Sequence, residues 1–348
     1  MEMAQFLLGM TLPQLKGLCS ELGLKSYVAS QLADWLYKKR VRSIDEMTNL
    51  SKETRARLSA EYEVGHISPA DVQTSADGTR KYAFEAVREG QYIETVMIPD
   101  RDRATLCVSS QAGCKMGCVF CMTGRQGFHG NLSTREIIAQ FMDVEESEAL
   151  TNAVFMGMGE PLDNWDNVKA ALEILCADWG FGWSPKRITL STIGDLATLK
   201  DFLESTGCHL AVSLHNPIHS ERQALMPVEG RYPLEEVLAL VRQYDFTGQR
   251  RVTFEYIMFA GLNDSKRHAD ALARLLAGLE CRVNLIRFHK IPGSPYSSGG
   301  EKIMEAFQSR LMAAGVTTTI RASRGEDIMA ACGLLAGKNS QNSQNEKA

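Results

Sequence analysis

Apolar residues change their spacing twice along this chain. In the first seventy residues they recur every three to four positions: Leu12, Leu15, Leu18 and Leu22 share one face, and Leu32, Trp35 and Leu36 share another. That spacing predicts a first helix, a second over Ala29–Lys39, and a third over Lys52–Tyr62 capped by Asn49-Leu50-Ser51. Arg80–Arg88 and Gln91–Ile98 then alternate apolar and polar residues about Glu89-Gly90, the pattern of a β-hairpin. From residue 103 short apolar runs alternate with amphipathic stretches. Strands are predicted at Ala104–Ser109, Ala153–Met158, Arg187–Thr192, His209–Ser213, Val252–Met258 and Val283–Phe288. Helices are predicted at Thr134–Glu146, Asn167–Asp178, Leu196–Glu204, Leu234–Tyr244, Ser265–Ala277 and Glu301–Ala314. Such βα units imply a parallel sheet with covering helices, and continuous apolar strands fit burial on both faces. The fold class is α/β, a partial (β/α)6 barrel preceded by a helical module and a hairpin. Val316–Arg321 adds one strand and Asp327–Leu335 one short helix, while the polar stretch Lys338–Ala348 is expected to be disordered.

Composition narrows the setting. The 348 residues, 44% of them hydrophobic, suffice for one large domain and a small one. A net charge of -4 means that any nucleic-acid contact must rest on local patches. The run Lys38-Lys39-Arg40-Val41-Arg42 is such a patch, read either as a solvated helix end or as a phosphate contact. Nine unevenly placed cysteines do not form a secreted disulfide framework, and Met1 to Gly9 has no basic region leading an apolar core. No apolar run reaches the length of a membrane span. A cytoplasmic, reducing compartment without membrane attachment is expected.

In sheets of this kind chemistry gathers at the C-terminal strand ends. After the first strand comes Cys114-Lys115-Met116-Gly117-Cys118-Val119-Phe120-Cys121. Thiolates are soft ligands for iron and zinc, and structural zinc or plain iron–sulfur sites normally use four protein ligands. Here the local group stops at three, which in a cubane cluster leaves one iron open for a substrate. A zinc site with a distant fourth ligand, or three unrelated thiols, remains the alternative. Met156-Gly157-Met158-Gly159-Glu160-Pro161 follows the second strand, with glycines that allow close approach and a carboxylate for a charge-assisted hydrogen bond. Ser191-Thr192-Ile193-Gly194, Ser213-Leu214-His215-Asn216-Pro217 and His289–Tyr296 follow later strands. Together these segments on one rim read as a cofactor site. Singly, His215 is ordinarily a local hydrogen-bonding residue, Glu94 a strand glutamate on the wet face, and Cys332 a buried helical thiol. Cys107, Cys19, Cys176, Cys208 and Cys281 are likewise read by default as small hydrophobes.

The spacing C-x-x-x-C-x-x-C, with Phe120 just before the last cysteine, resembles the radical S-adenosylmethionine (SAM) signature. Further motifs sharpen the likeness: Cys107-Val108-Ser109-Ser110-Gln111, Met156–Leu162, Ser213-Leu214-His215, Leu225-Met226-Pro227, Phe254-Glu255-Tyr256, Pro292-Gly293-Ser294-Pro295-Tyr296, and Ser323–Ile328 leading into Ala331-Cys332-Gly333. In this order they resemble the RlmN/Cfr family of dual-cysteine radical SAM adenosine methyltransferases, from the N-terminal helices to about Gly337. Leu162-Asp163-Asn164 departs from the family's more usual Leu-Asn-Asn, and His289 stands where asparagine is usual.

The resemblance implies a [4Fe-4S] cluster on Cys114, Cys118 and Cys121, and SAM contacts at Gly159, Glu160, Ser191, Ser213, Leu214, His215 and His289. It implies two SAM molecules per turnover, one methylating Cys332 and one supplying a 5′-deoxyadenosyl radical that activates the resulting S-methyl group. Cys107 would resolve the adduct by forming a disulfide with Cys332, and Glu94 matches the proposed proton acceptor. The implied partners are 23S rRNA, tRNA, an external electron donor and a disulfide reductant, with the chain acting as a monomer. Carbon 2 of adenosine is the expected target, because Phe254-Glu255-Tyr256 and the helical extension look more like the RlmN branch; carbon 8, or another radical SAM reaction, is the alternative. The expected domains are 1–70, a helical RNA-handling module; 71–102, a hairpin linker; 103–337, the radical SAM partial barrel with the catalytic-cysteine segment; and 338–348, a tail.

Overall fold

The computed structural model describes residues 5–248 and 250–337, so the expected tail at 338–348 lies outside the described residues. Two short strands, β1 (Gln5–Phe6) and β2 (Tyr62–Glu63), pair in parallel and bracket helices Leu12–Glu21, Tyr27–Ala33 and Lys52–Glu61. Leu15, Leu18, Leu32 and Leu36 are buried, as their spacing predicts. Ser51 caps the third helix by accepting a hydrogen bond from the Thr54 amide at 3.1 Å.

The main sheet has ten strands. In chain order it takes in β3 (Asp71–Thr74), β4 (Arg80–Glu85), β5 (Tyr92–Asp100) and β6 (Arg103–Cys107). A small antiparallel ribbon of β7 (Gln111–Gly113) and β8 (Phe128–Asn131) stands apart from it. The sheet continues with β9 (Asn152–Phe155), β10 (Ile188–Thr192), β11 (His209–Ser213), β12 (Val252–Met258), β13 (Arg282–Arg287) and β14 (Thr317–Ile320). Strands β6 and β9 to β14 run parallel in sequence order, and β5, β4 and β3 extend the β6 edge antiparallel. Helices return the chain between the parallel strands, so strand interiors such as Leu106, Leu190, Leu210, Phe254 and Leu285 lie fully buried. The ribbon is an addition to the expected plan: it forms the stem from which the cysteine loop projects.

The sheet does not close on itself. The chain after β14 crosses the gap between β14 and the hairpin strands. Ser323 lies beside His289 at the upper rim (3.2 Å). Gly325 then donates to Asp77 at 3.0 Å, and Asp327 accepts from Ser75 at 2.6 Å and the Ala76 amide at 3.1 Å, at the opposite end of the strands. The chain climbs back to the rim, where Met122 donates to Gly333 at 2.9 Å and Thr123 to the Leu335 carbonyl at 2.8 Å. This strap replaces the helix expected over Asp327–Leu335: only Glu326–Ile328 makes a single 3-10 turn. Left-handed backbone at Met329 (φ 54) and Gly333 (φ 82) breaks a right-handed helix at two points within that span, and Gly325 (φ 61) is left-handed just before it.

The basic run is largely spent within the molecule. Lys39 pairs with Asp34 at 3.2 Å and lies 3.6 Å from the Trp35 ring, and Arg40 bonds Ser147 and packs on Phe181. Arg42 reaches Asp143, whose buried carboxylate also accepts from His66 (2.6 Å) and the Ile67 amide (2.9 Å). These contacts dock the helical module on the barrel, and Lys38 is left as the exposed cation without an ion pair among the described residues.

Candidate active site at the strand ends

Cys114, Cys118 and Cys121 occupy one loop between β7 and β8. Their thiols lie within Coulomb reach of one another: burial raises the Cys118 thiol well above its ordinary range, and its two neighbours raise it further. Arg222 opposes that rise. It is fully buried, ion-paired with buried Glu229, and donates to the carbonyls of Leu214 (2.9 Å) and Ser213 (2.8 Å). A fixed cation beside clustered thiols suits ligands that must be thiolates. Among the described residues no three His, Cys, Asp or Glu side chains converge on a single-ion site. A cubane places a different iron under each sulfur, so its ligands stand apart, and this donor set fits one.

Around the loop the strand ends form an apolar roof of Phe120, Ile193, Met226, Phe259, Phe288 and Leu334. Gly159 has φ +99, and a Cβ there would stand 2.5 Å from that of Gln111. Gly157 is pressed against Val108 and Ser109, where a Cβ would come within 2.7 Å of three atoms. These glycines let the Gly-rich segment lie flat on the chain leaving β6. The Glu160 carboxylate accepts from the amides of Leu162 (3.2 Å) and Ile193 (3.0 Å). Burial pushes its pKa up to about 7, against those hydrogen bonds and one from Thr192. Asp163, the departure from the family pattern, pairs with Lys115 of the cysteine loop at 2.9 Å and accepts from Gln111 at 2.7 Å.

His215 is a local hydrogen-bonding residue in part: its Nδ1 accepts from the Ile257 amide at 3.1 Å, and its ring meets Phe120 edge-on at 4.9 Å. Burial and then Arg222 lower its pKa to about 3, so the ring is neutral with its proton on Nε2. Ser191 and Ser213 are half-buried at the ends of β10 and β11, and Leu214 is buried. His289 contacts Ser323 and stands 3.7 Å from Glu326.

Three default readings are overturned. Cys332 lies in an irregular turn, accessible to a cavity yet ringed by protein. Cys107 faces the same cavity, of about 490 Å³, and burial followed by the nearby Cys332 pushes its thiol up to about 12. Glu94 is 4% exposed, not on a wet face. It pairs with buried Lys81 at 3.0 Å and accepts from the Ala336 amide at 2.7 Å, clamping the strap just beyond Cys332. Glu94 does not line the cavity. Arg222, Glu229, Arg321 and Lys81 went unnoticed in the sequence. None of them left a usable signal: Lys81 lies diagonal to Glu94 only in the register the hairpin adopts, with Ala83 opposite Glu94.

A partial parallel barrel, a three-thiol loop at its rim and a Gly-rich segment beside it define a radical SAM protein. Residues 108–272 match the Radical SAM superfamily, and residues 6–64 match the ribosomal RNA large subunit methyltransferase N-terminal domain. The crystal structure of a radical SAM methyltransferase from Sphaerobacter thermophilus is similar, with a TM-score of 0.89 and 39% identity, covering 96% of this chain and 100% of that one. The probable dual-specificity RNA methyltransferase RlmN of Parabacteroides distasonis is 57% identical over 330 residues, 95% of this chain and 96% of the relative. The dual-specificity RNA methyltransferase RlmN of Syntrophus aciditrophicus is 43% identical over 333 residues, 94% and 95% of the two chains. This chain belongs to the RlmN family of dual-specificity RNA methyltransferases.

Proposed function

We propose that this protein methylates carbon 2 of an adenosine at the peptidyl-transferase centre of 23S rRNA, and of the adenosine 3′ of the anticodon in some tRNAs, as a cytoplasmic monomer. The observation that carries the reading is that Cys107 and Cys332, from opposite ends of the barrel domain, face one cavity that also reaches Cys121. Cys114, Cys118 and Cys121 would hold a [4Fe-4S] cluster, which would supply the electron that generates a carbon radical from SAM.

Cys332, the more accessible thiol, receives a methyl group by displacement, and a second SAM serves the radical step. The radical takes one hydrogen atom from that S-methyl group, and the resulting carbon-centred radical adds to the adenine ring carbon, tethering RNA to the Cys332 sulfur. The ring carbon loses its proton and the adduct gives up one electron, equal to the one supplied to start the radical. Cys107 then attacks the Cys332 sulfur, the bond from that sulfur to the methylene breaks as the disulfide forms, and the methylene takes up a proton to leave as the methyl group of the base. Half-buried Arg321, 3.5 Å from Glu255, lies within Coulomb reach of both cysteines and favours their thiolates. Glu94 takes the proton after the Ala336 and Gly337 amides move off its carboxylate. Gly159, Glu160, Ser191 and the Ser213–His215 turn hold SAM, and His289 contributes its ring edge. The roof excludes water from the radical. The target base leaves its stack, at a cost of a few kcal/mol.

Nucleoside mass spectrometry of rRNA and tRNA from a deletion strain is expected to show loss of 2-methyladenosine. Retained 2-methyladenosine with lost 8-methyladenosine would assign carbon 8 instead. Cys107→Ala is expected to accumulate a covalent RNA–protein adduct through Cys332.

A further inference from the structure

The cavity holding the cysteine pair does not end at the catalytic rim. Its walls include Arg103, Asn152 and Arg187, at or just before the first residues of β6, β9 and β10, so it runs the length of the strands to their N-terminal ends. The strap forms the facing wall through Arg321, Ser323 and Arg324. Arg103 and Arg187 are exposed, so the far end opens to solvent.

That second mouth is cationic. Asp100 pairs with Arg103, and Arg324 lies within Coulomb reach of the same carboxylate. Among the described residues neither Arg187 nor Arg324 has a carboxylate within ion-pair distance. Deeper in, Arg321 faces the two cysteines, its charge shared with Glu255 at 3.5 Å. Four guanidiniums against two carboxylates favour an anion along the whole path. The cavity's size admits a small molecule, and its opening is remote from the rim that RNA must approach.

Resting on the proposed function, we propose that this second mouth is the entry for a small anionic thiol, one carrying carboxylate or sulfonate groups, that reduces the Cys107–Cys332 disulfide after each turnover. Its thiolate attacks the Cys332 sulfur, the more accessible of the two. The Cys107–Cys332 bond breaks, a mixed disulfide forms on Cys332, and Cys107 leaves as a thiolate beside Arg321. A second thiolate attacks the external sulfur of the mixed disulfide, releasing the small-molecule disulfide and the Cys332 thiolate. Two thiols are oxidised, one protein disulfide is reduced, and the protons lost by the incoming thiols reprotonate the cysteines.

The test uses cluster-loaded holoenzyme brought to the disulfide state by one turnover. Reduction is followed with 2-mercaptoethanesulfonate and with neutral 2-mercaptoethanol, compared at equal thiolate concentration. The anionic thiol is expected to react about tenfold faster at low salt, with the advantage lost at high salt. Arg187→Glu and Arg324→Glu together should erase the advantage while leaving the neutral thiol's rate unchanged. Equal rates in the wild-type protein, an advantage that survives both substitutions, or an equal fall for both thiols would overturn the inference. Absence of any Cys107–Cys332 disulfide after turnover would overturn the proposed function with it, which separates the two failures.

Discussion

Arg222 and Glu229 are both buried, and each leaves the other uncompensated if removed alone. Arg222→Met is expected to cost about 3–5 kcal/mol in denaturant melts, and adding Glu229→Leu should recover much of it. Glu160 gives a pH signature. Its folded pKa, about 7, lies above the ordinary 4.5, so the native state binds the proton more tightly. Its stabilising contribution is full below 4.5 and is lost as pH rises through 7, a span worth about 3 kcal/mol. Glu160→Gln should therefore make the ligand-free protein more stable than wild type at pH 8 and nearly equal at pH 4, while weakening SAM binding by calorimetry. At this scale the sequence exposed the three-cysteine loop, because its thiols lie within eight residues of one another in the chain. It hid Arg222 and Arg321, whose roles come from distant segments folding around them.

The elements were legible where periodicity was strong: the six expected strands of the barrel and their helices appear within a few residues of the predicted limits. The strap was not. Asp327–Leu335 carries apolar residues at helical intervals, but Gly325, Met329 and Gly333 adopt left-handed backbone, and a Cβ on Gly325 would come within 2.8 Å of Ala330. Its shape is set by what it touches at either end, which local propensity does not encode. Asp327→Ala removes its lower anchor to Ser75 and Ala76. The expected outcome is little change in global stability, with amide exchange over residues 325–337 accelerated at least about tenfold.

At the scale of the whole molecule, one buried carboxylate, Asp143, gathers His66, Arg42 and Ile67 where the helical module meets the barrel, beside the Arg40–Ser147 and Arg135–Gly65 contacts. Asp143→Ala leaves those donors without their acceptor. Limited proteolysis should then release a fragment ending near residue 65, and the proposed RNA-handling role of the module predicts that RNA methylation falls more than methylation of Cys332 itself. The parallel strands lie side by side in chain order, each next to the one before it, as successive βα units pack. The docking angle of the helical module could not be read in advance, because it depends on contacts between residues 77 and 101 positions apart in the chain.

The clamp of Glu94 on the Ala336 and Gly337 amides bears on how the molecule can be handled. The polypeptide leaves its last described turn directly against a buried carboxylate beside the reaction chamber. A fluorescent fusion or affinity handle joined right after Gly337 would tug on the segment that carries Cys332, whereas the same cargo at the other terminus hangs from the docked module. A chain cut back to Leu335 loses both amides, and it is expected to fall silent as an enzyme while its melting temperature barely moves.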